Sequence, residues 1–595
     1  MYNSLKRIPH SSYSKENYKH VVFSCLHTNK SRMPVYLEKQ KILFVAQGRI
    51  DNKAELITLL SNNYINDKAL TDEQLMLDVY LKFKEDTPSK LVGDWSFAAY
   101  DFKVNRFFIA RDPCGLSSIF YYIDKDVVIF SNMIKPLLAS EKVCKEIDLQ
   151  QIITKDAILP SLAKDTTFYK NIKIIGPAHH LTVDANSHAK RRYWWPEKIP
   201  LNYEISAEEA AIKLKSLFTE AVRCRLSDDK LNASMLSGGL DSSSVSVIAA
   251  NLLKKQGTTL HTFSHVPLFT IDNEHINKHR FGDEKPFIKE IVKHNGNMTP
   301  HYITSKEMTP LQGIHKQLDV LDTPIHAALN AYWIVDIYEQ AKRENFGVLL
   351  SGEMGNATIS FKGIPQVKVT NINSNTSLWL TFRNKLLRPV YRAIKTHYLS
   401  LFFTQAWQSY SYLHPKFAKK MNLRAMINKS DRNVNFSNQP TYSEAQQKIH
   451  KFGYNFRFTS GSVFSHYFGI EKRDPTGDKR VVEFILQLPN ELFYSKTGDN
   501  KQLLKLMMKE LLPDNVLFQQ KKGLQSADIV ERVQADLPEI TTIITEFKTD
   551  LTDIEMFDKK RLLSDLTKLK QKKLSIISTH HLLRTVGIME FLNRQ

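Results

Sequence analysis

The segment SMLSGGLDSSS, residues 234–244, constrains the fold of this chain more than any other stretch. The apolar residues 233–236 predict a short buried strand before it. Apolar positions at helical spacing between 245 and 253 predict a helix after it, which ends at Gly257. The glycines and hydroxyls therefore join the end of a strand to the start of a helix. In open α/β sheets that edge is where ligands bind.

The composition of this loop favours a phosphate ligand. Free N–H groups and the helix dipole attract an anion, and glycines let the backbone approach phosphate oxygens closely. Ser237 and Ser242 add hydroxyl donors. Asp241 would repel bare phosphate, so its presence indicates a Mg²⁺ ion that bridges phosphates. The alternative is a Ser/Gly-rich turn that only caps the helix, because the loop matches neither GxxxxGK[ST] nor GxGxxG.

The pattern of the chain changes once, near RRYWWPEKIPLN, residues 191–202. At about 100–200 residues per domain, 595 residues predict two to four domains. Residues 36–137 alternate between β-rich runs and turns, around one helix at TDEQLMLDVYLKFKE. After a capping box at Ser206 and Glu209, helices alternate with strands, which predicts a parallel sheet covered on both faces. Helical sequence dominates after Trp379.

Composition limits the compartment and the partners. The four cysteines stand apart without a CxxC pair, so neither a zinc site nor a disulfide framework is indicated. The first residues lack the apolar core that a signal peptide needs, and no apolar run is long enough to span a membrane, so we expect a reduced, cytoplasmic protein. The net charge is +20, and residues 361–430 contain twelve Lys or Arg and no acidic residue. That segment is either a plain basic surface or a site for an acidic peptide, a nucleic acid or a membrane face.

Several motifs in order resemble one family. SGGLDS resembles the pyrophosphate loop of enzymes that split ATP into AMP and pyrophosphate. GRIDNKAEL (48–56), LVGDWSFAAYD (91–101) and RDPCGLSSIFYY (111–122) resemble the amidotransferase-like domain of asparagine synthetases. Further matches to those enzymes are LSGEMGN (350–356), IEKRDPTGDKRVVEF (470–484) and LPDNVLFQQKKG (512–523). The resemblance covers most of the chain except residues 361–450.

Two departures point to one branch of that family. Tyr2 stands where a class II amidotransferase has its nucleophilic cysteine, so we expect no glutaminase activity. Asn356 stands at a family aspartate that helps to hold metal. A GxxGNxTIS loop at 352–360 and a KGxQ run at 522–525 resemble the ATP-dependent cyclases of lasso peptides. β-Lactam synthetases are a third relative without glutaminase activity.

The resemblance implies an α+β, Ntn-type amidotransferase-like domain at residues 1–195. It also implies a doubly wound α/β ATP-pyrophosphatase domain at residues 196–595, in which 361–450 form a basic, largely helical insertion. The implied substrates are ATP with Mg²⁺ and an Asp or Glu side chain of a precursor peptide, which joins the peptide's N-terminal amine. Lys521 would stabilise charge at the α-phosphorus, and Glu353 would accept the amine proton. The implied ATP-binding residues, with Asp241 also holding metal, are Leu236, Ser237, Gly238, Gly239, Leu240, Asp241, Ser242, His265, Ser351 and Gly352.

Other interpretations remain open at this stage. Glu471, Arg473 and Asp478 are expected to form a structural salt-bridge cluster, and His326 and Trp333 to line a pocket or core. A separate leader-recognition protein and a leader protease are expected partners, a membrane-surface contact is possible, and no nucleic acid is expected. Rival functions are an asparagine synthetase-like or β-lactam synthetase-like ligase for small molecules, a tRNA-modifying enzyme with the same loop, and an inactive scaffold. The basic segment 361–430 is expected to cap the ATP-site cleft.

Overall fold

The computed structural model of the protein describes residues 12–27, 33–60, 70–158, 165–271, 279–324, 327–363, 407–429, 456–495 and 499–595. Across these ranges, no helix has the length and apolar character needed to cross a membrane. Tyr2, His326 and most of the acid-free segment, including residues 364–406, lie outside the described residues.

Antiparallel strands form the centre of the N-terminal domain. They are β1 (Ser12–Tyr18), β2 (Val21–His27), β3 (Val35–Leu37), β4 (Ile42–Ile50), β5 (Gly93–Asp101), β6 (Arg106–Arg111), β7 (Phe120–Ile123), β8 (Val128–Ser131), β9 (Lys173–Ile174), β10 (His179–Val183) and β11 (His188–Arg192). The accompanying helices are α1 (Lys53–Leu59), α2 (Asp72–Phe83), α3 (Thr87–Lys90), α4 (Lys135–Leu138) and α5 (Leu149–Asp156).

The six-stranded sheet of this domain has the order β11-β10-β6-β5-β4-β3 and is covered on both faces. Because side chains alternate along a strand, Phe44 packs with α2 on one face. Its neighbour Leu43 packs on the opposite face with β7 and with Phe23 of β2. A strand that is buried on both faces reads as a continuous apolar run, as ILFVA does.

A five-stranded parallel sheet forms the centre of the second domain. Its strands are β12 (Leu231–Met235), β13 (Leu260–His265), β15 (Met298–Ile303), β16 (Phe346–Leu350) and β17 (Glu471–Arg473), in the order β15-β13-β12-β16-β17. A separate parallel pair joins β14 (Arg280–Phe281) to β18 (Lys522–Gly523). The chain starts in the middle at β12, builds outward through β13 and β15, and then crosses to β16. The change of direction lies between β12 and β16, so their carboxyl ends should border the ligand crevice.

Helices cover both faces of this sheet and form a layer at the carboxyl terminus. They are α6 (Ala207–Arg223), α7 (Leu240–Lys255), α8 (Lys285–Asn295), α9 (Pro310–Leu321), α10 (Ala331–Arg343), α11 (Pro415–Lys420), α12 (Leu423–Lys429), α13 (Phe456–Phe468), α14 (Lys479–Gln487), α15 (Gln502–Met508), α16 (Asp514–Leu517), α17 (Ile529–Arg532), α18 (Leu537–Glu546), α19 (Lys559–Lys570) and α20 (Ile576–Asn593). The predicted capping box is present at the start of α6, where Ser206 and Glu209 each bond the other's backbone N–H.

The described parts of the acid-free segment lie in two different places. Lys362 lies close enough to Lys522 for its charge to lower the pKa of that lysine. Residues 407–429 instead pack against the C-terminal helices, where Leu413 pairs with Phe557 and the Tyr412 hydroxyl donates to Asp565. The prediction that the whole segment caps the ATP-site cleft is therefore wrong for residues 407–429, because their apolar side chains are buried in the helical layer.

Candidate functional site

The loop after β12 is held by its own side chains. Leu236 is buried and its N–H donates to the Phe263 carbonyl of β13 at 3.0 Å. The hydroxyls of Ser237 and Ser242 are 2.7 Å apart, and the Gly239 N–H donates to Ser237 Oγ at 3.1 Å. These bonds fold the loop over the first turn of α7, which begins at Leu240. The predicted strand–loop–helix unit is therefore present, with the loop at a helix N-terminus that favours anions.

The carboxylate of Glu284 contacts this loop. Glu284, at the start of α8, accepts a hydrogen bond from the Gly238 N–H at 3.1 Å. Its other oxygen lies so close to Gly523 that a Cβ there would come within 1.6 Å of it. Burial raises the pKa of the Glu284 carboxyl. Glu284 thus connects the SGGLDS loop, residues 237–242, to β18, the strand that follows Lys521.

Asp241 lies where two loops meet. A Cβ at Gly355 would come within 2.3 Å of Asp241 Cγ, and a Cβ at Gly352 within 2.8 Å of the Asp241 carbonyl carbon. Only glycine at both positions lets the loop after β16 pack on this aspartate. The GxxG part of the GxxGNxTIS pattern is explained by this contact.

The Asp241 side chain fits a metal ion. Its Oδ1 atom is buried and makes no hydrogen bond of ordinary geometry among the described residues, although the Ser360 hydroxyl lies close enough to the carboxyl to act on its pKa. Burial raises the pKa of the carboxyl, and Ser360, Lys501 and Lys522 act in the opposite direction. No group of three or more His, Cys, Asp or Glu with metal-site spacing occurs in the part of the chain that the structure describes. A Mg²⁺ ion here would take Asp241 and complete its coordination with phosphate oxygens and water.

Four cationic side chains form a cluster, and two of them, Lys501 and Lys522, act directly on Asp241. The Lys362 ammonium lowers the pKa of Lys522, with further contributions from burial, Lys501 and Arg280. Burial also lowers the pKa of Lys501, and Lys362 adds to that shift. Mutual repulsion of this kind is relieved when a ligand with several negative charges binds. The cluster therefore suits a triphosphate or a pyrophosphate.

The sequence predicts the loop beside this cluster but not the cationic residues that form it. Lys521 is exposed, and its N–H donates to Gln519 Oε1 at 2.8 Å. Lys522 is the lysine that is coupled to Asp241. No sequence motif includes Lys362, Lys501 or Arg280, because each comes from a different part of the chain. The catalytic assignment of Lys521 stays a prediction from resemblance.

Glu353 lies at a second small site, next to the first. Its Oε1 is 2.6 Å from Lys472 Nζ. Together with Leu116, Ser462 and Asp474, these two residues line a cavity of about 20 Å³. That volume is close to the minimum for one water molecule. The cavity lies between the loop after β16, helix α13 and a loop of the N-terminal domain.

His265 packs against two aromatic side chains. The ring of His265 stacks on Trp333, with centroids 5.3 Å apart and planes at 8°. The Tyr332 hydroxyl lies 3.2 Å from His265 Nε2. Burial lowers the pKa of His265 to about 4, so the ring is neutral at physiological pH. A neutral, packed ring is consistent with the expectation that His265 is not a base, and its place at the nucleotide site stays a prediction. Ser351 is also buried, and its Oγ has no partner among the described residues.

The charged residues of the E-x-R-x-P-x-x-D motif form ion pairs in the structure. Glu471 pairs with Lys230 at 2.5 Å and with Arg473 at 2.6 Å. Asp478 caps α14 and accepts from Arg225 at 2.8 Å. Glu471 and Arg473 thus pair as expected, whereas Asp478 belongs to a separate set of ion pairs with Arg225 and Arg480.

Comparisons with known proteins agree with this geometry. The glutamine amidotransferase domain model matches residues 13–194, and the asparagine synthase model matches residues 213–581. Asparagine synthetase 3 of Bacillus subtilis is 27% identical over 495 residues, which is 80% of this chain and 74% of that protein. A putative asparagine synthetase of Methanocaldococcus jannaschii is 28% identical over 54% of this chain and 58% of its own length.

A solved structure of glutamine phosphoribosylpyrophosphate amidotransferase from B. subtilis covers 41% of this chain and 60% of its own, at 11% identity. Its TM-score of 0.22 is too low to carry an argument. The two family matches confirm the predicted combination of an amidotransferase-like domain and an α/β ATP-pyrophosphatase domain. This chain belongs to the asparagine synthase family of ATP-dependent amide-bond ligases.

Proposed function

We propose that this chain is a lasso-peptide cyclase. It would transfer AMP from ATP to an Asp or Glu side chain of a precursor peptide, releasing pyrophosphate. The N-terminal amine of the same peptide would then attack the acyl carbon and expel AMP. The product would be a ring closed by an isopeptide bond.

The observation that carries this proposal is the hydrogen-bonded interface between the two domains beside Glu353. Gln47 of the N-terminal domain lies 3.1 Å from His466 Nδ1 of α13, and His466 Nε2 lies 3.3 Å from Ser462 Oγ. Ser462 in turn contacts Ser118 Oγ at 3.1 Å. Among the described residues, the cavity that Ser462 lines together with Glu353 is near the size of one water molecule. A ligase supplied with ammonia by its own N-terminal domain needs a passage there, whereas a ligase whose amine arrives on a peptide does not.

The residues of this chain have separate tasks in that reaction. The pyrophosphate loop and the cations Lys362, Lys501 and Lys522 would bind the triphosphate and hold the departing pyrophosphate. Mg²⁺ bound at Asp241 would neutralise phosphate charge. Lys521 would stabilise charge at the α-phosphorus, as the resemblance implies. Placing the amine next to the activated carboxyl can contribute about 7–11 kcal/mol to the barrier reduction. Glu353 would accept the proton that the amine loses.

A second candidate is an asparagine synthetase-like ligase that uses free ammonia and a small carboxylic acid. The similarity to asparagine synthetases over 80% of this chain favours it. A third, a tRNA-modifying enzyme, rests only on the basic charge and the loop type. For the cyclase, a leader-recognition protein, a leader protease and a membrane surface are proposed partners.

One assay separates the candidates. The purified protein is incubated with MgATP and one of three acceptors: synthetic peptides with a free N-terminus and one internal Asp or Glu at varied spacing, aspartate with ammonium chloride, or bulk tRNA. AMP and pyrophosphate are quantified, and peptides are analysed by mass spectrometry and by amine labelling.

We expect AMP, pyrophosphate and a peptide that is lighter by one water and has a blocked N-terminus. Asp241→Asn should remove all three products, and added glutamine should yield no glutamate. AMP formation only with aspartate and ammonium would favour the second candidate. Formation of ADP with any acceptor would contradict the pyrophosphate-loop assignment.

A further inference from the structure

The carboxylate of Glu284 contacts two parts of the site at once. Glu284 immediately precedes α8, but its side chain does not cap that helix. Its Oε2 atom accepts a hydrogen bond from the Gly238 N–H at 3.1 Å. Its Oε1 atom lies against Gly523 of β18, where an added Cβ would be 1.6 Å away. The carboxylate therefore fills the space between the SGGLDS loop and the strand that follows Lys521.

Three successive backbone N–H groups of the SGGLDS loop donate to side-chain oxygens. The Ser237 N–H donates to Ser242 Oγ at 3.1 Å, and the Gly239 N–H donates to Ser237 Oγ at 3.1 Å. The Gly238 N–H, between them, donates to Glu284. Backbone N–H groups at a helix N-terminus are the donors that bind phosphate. A phosphate group that uses these three donors has to replace the side-chain oxygens.

The hydroxyls and the carboxylate differ in how they can respond to a phosphate. A serine hydroxyl both donates and accepts, so Ser237 and Ser242 can turn and donate to a phosphate oxygen. An ionised carboxylate only accepts, and it repels a phosphate at contact distance. Of these three acceptors, Glu284 is therefore the one that cannot share the loop with a phosphate.

The charge of Glu284 depends on its bond to the loop. Burial raises the pKa of the Glu284 carboxyl, the charge of Asp283 adds to this shift, and the Gly238 N–H opposes it. Among the described groups that act on this pKa, only the Gly238 N–H favours the ionised form. Two cations of the nearby cluster act on Asp241 instead. The carboxylate and a phosphate thus have the same need for this one donor.

We propose that Glu284 competes with pyrophosphate for the Gly238 N–H and thereby lowers the affinity of the SGGLDS loop for pyrophosphate. The carboxylate occupies the donor before ATP binds, yields it to the phosphates, and takes it again as pyrophosphate leaves. Early release of pyrophosphate keeps the acyl-adenylate from reverting to ATP and the free carboxylate. This benefit rests on the proposed function, whereas the competition itself can be measured without any acceptor.

The test is a calorimetric titration of the purified full-length protein with inorganic pyrophosphate and Mg²⁺ at fixed salt and pH. Glu284→Gln keeps the shape of the side chain and an oxygen for the Gly238 N–H, but it removes the charge. We expect this variant to bind pyrophosphate about tenfold more tightly than wild type, the difference between a charged and a neutral acceptor. The control Glu290→Gln removes an exposed charge from the same helix and should leave the affinity unchanged.

A second variant separates competition from a supporting role of the side chain. Glu284→Ala removes the acceptor altogether and should bind pyrophosphate at least as tightly as Glu284→Gln. Unchanged or weaker binding by Glu284→Gln would overturn the competition. If no variant binds pyrophosphate, the competition and the assignment of the SGGLDS loop both fail. If Glu284→Gln binds pyrophosphate more tightly but no variant cyclises a peptide, the competition stands and the cyclase function fails.

Discussion

We expect Asp241 to lower the stability of the ligand-free fold although the proposed site needs it. The Asp241 carboxyl is buried, with one oxygen that makes no hydrogen bond of ordinary geometry among the described residues. Burial raises its pKa, which means that the folded state disfavours the ionised form. Ionisation of Asp241 near neutral pH therefore opposes folding of the ligand-free protein. Bound Mg²⁺ and phosphates would reverse this balance.

Asp241→Asn should therefore separate stability from activity. We expect AMP formation to be lost, because the neutral amide is a poor Mg²⁺ ligand. The ligand-free variant should nevertheless unfold at a higher temperature than wild type, because the buried charge is gone. We expect its free energy of unfolding to rise by about 0.5–2 kcal/mol, which is common for a stabilising substitution. Thermal unfolding near pH 7 measures this, with the exposed Asp229→Asn as the matched control. A lower unfolding temperature in Asp241→Asn would show that the carboxylate is stabilising without ligand.

The two adjacent lysines should differ in kinetics. Lys522→Met removes a member of the cation cluster, so we expect weaker ATP binding and a higher KM for ATP. Lys521→Met should lower the adenylation rate by roughly 10²–10³, the effect of losing one transition-state contact. Pyrophosphate exchange at varied ATP concentration separates the two effects. An unchanged rate in Lys521→Met, with a large loss of rate in Lys522→Met, would move the catalytic role to Lys522.

At the scale of elements, the loop after β16 depends on glycine for its contact with α7. Gly355→Ala would place a Cβ within 2.3 Å of Asp241 Cγ, so the loop must shift. We expect a loss of about 1–3 kcal/mol in unfolding free energy, together with loss of ATP turnover. Gly587→Ala in α20 is the control, since its Cβ would meet only Ile314 Cγ2 at 3.4 Å. Denaturant unfolding of both variants checks this, and full activity of Gly355→Ala would contradict the packing argument.

The elements that the sequence predicts well are those defined by local pattern. The strand and helix on either side of 236–239 follow from apolar spacing, and the start of α6 follows from its capping box. The cation cluster could not be predicted in the same way. Lys362 and Lys501 come together only through crossovers of the doubly wound sheet, which no local pattern records. Lys472 lies inside a recognised motif, but only its place in β17 shows which way it points.

Strand β17 also contains a buried ion pair whose contribution to stability should depend on pH. Burial opposes ionisation of Glu471, but Arg473 and Lys230 outweigh it and lower its pKa to about 2. A carboxyl with a lowered pKa stabilises the fold above its ordinary value, and this contribution is lost as pH falls towards 2. Glu471→Gln should therefore unfold at lower temperature than wild type at pH 6. The difference should vanish near pH 2, and a gap that is constant across this range would contradict the ion-pair account.

At the scale of the whole molecule, the two domains share buried charges. Arg225 follows α6 in the second domain and is 1% exposed. Its guanidinium contacts Asp51 at 3.2 Å and Asp94 at 3.1 Å in the N-terminal domain, and Asp478 at 2.8 Å in its own. Removing one partner of a buried ion pair costs about 3–5 kcal/mol, because the other charge stays buried and uncompensated. The N-terminal domain is therefore part of the folding unit of the ligase domain, whatever its own chemistry.

Deleting residues 1–195 should accordingly leave an insoluble remainder. Besides Arg225, the deletion would expose an apolar surface, because Phe168 and Tyr169 each lie 6.0 Å, centroid to centroid, from Phe591 of α20. The core that contains them runs without a break from the N-terminal domain into the C-terminal helices. A large exposed apolar patch of this kind promotes aggregation. We expect residues 196–595 in the pellet when produced alone, and a larger soluble fraction when residues 1–195 are co-produced as a separate chain. Recovery of 196–595 alone as a soluble monomer with wild-type AMP formation would show that the interface is dispensable for both folding and catalysis.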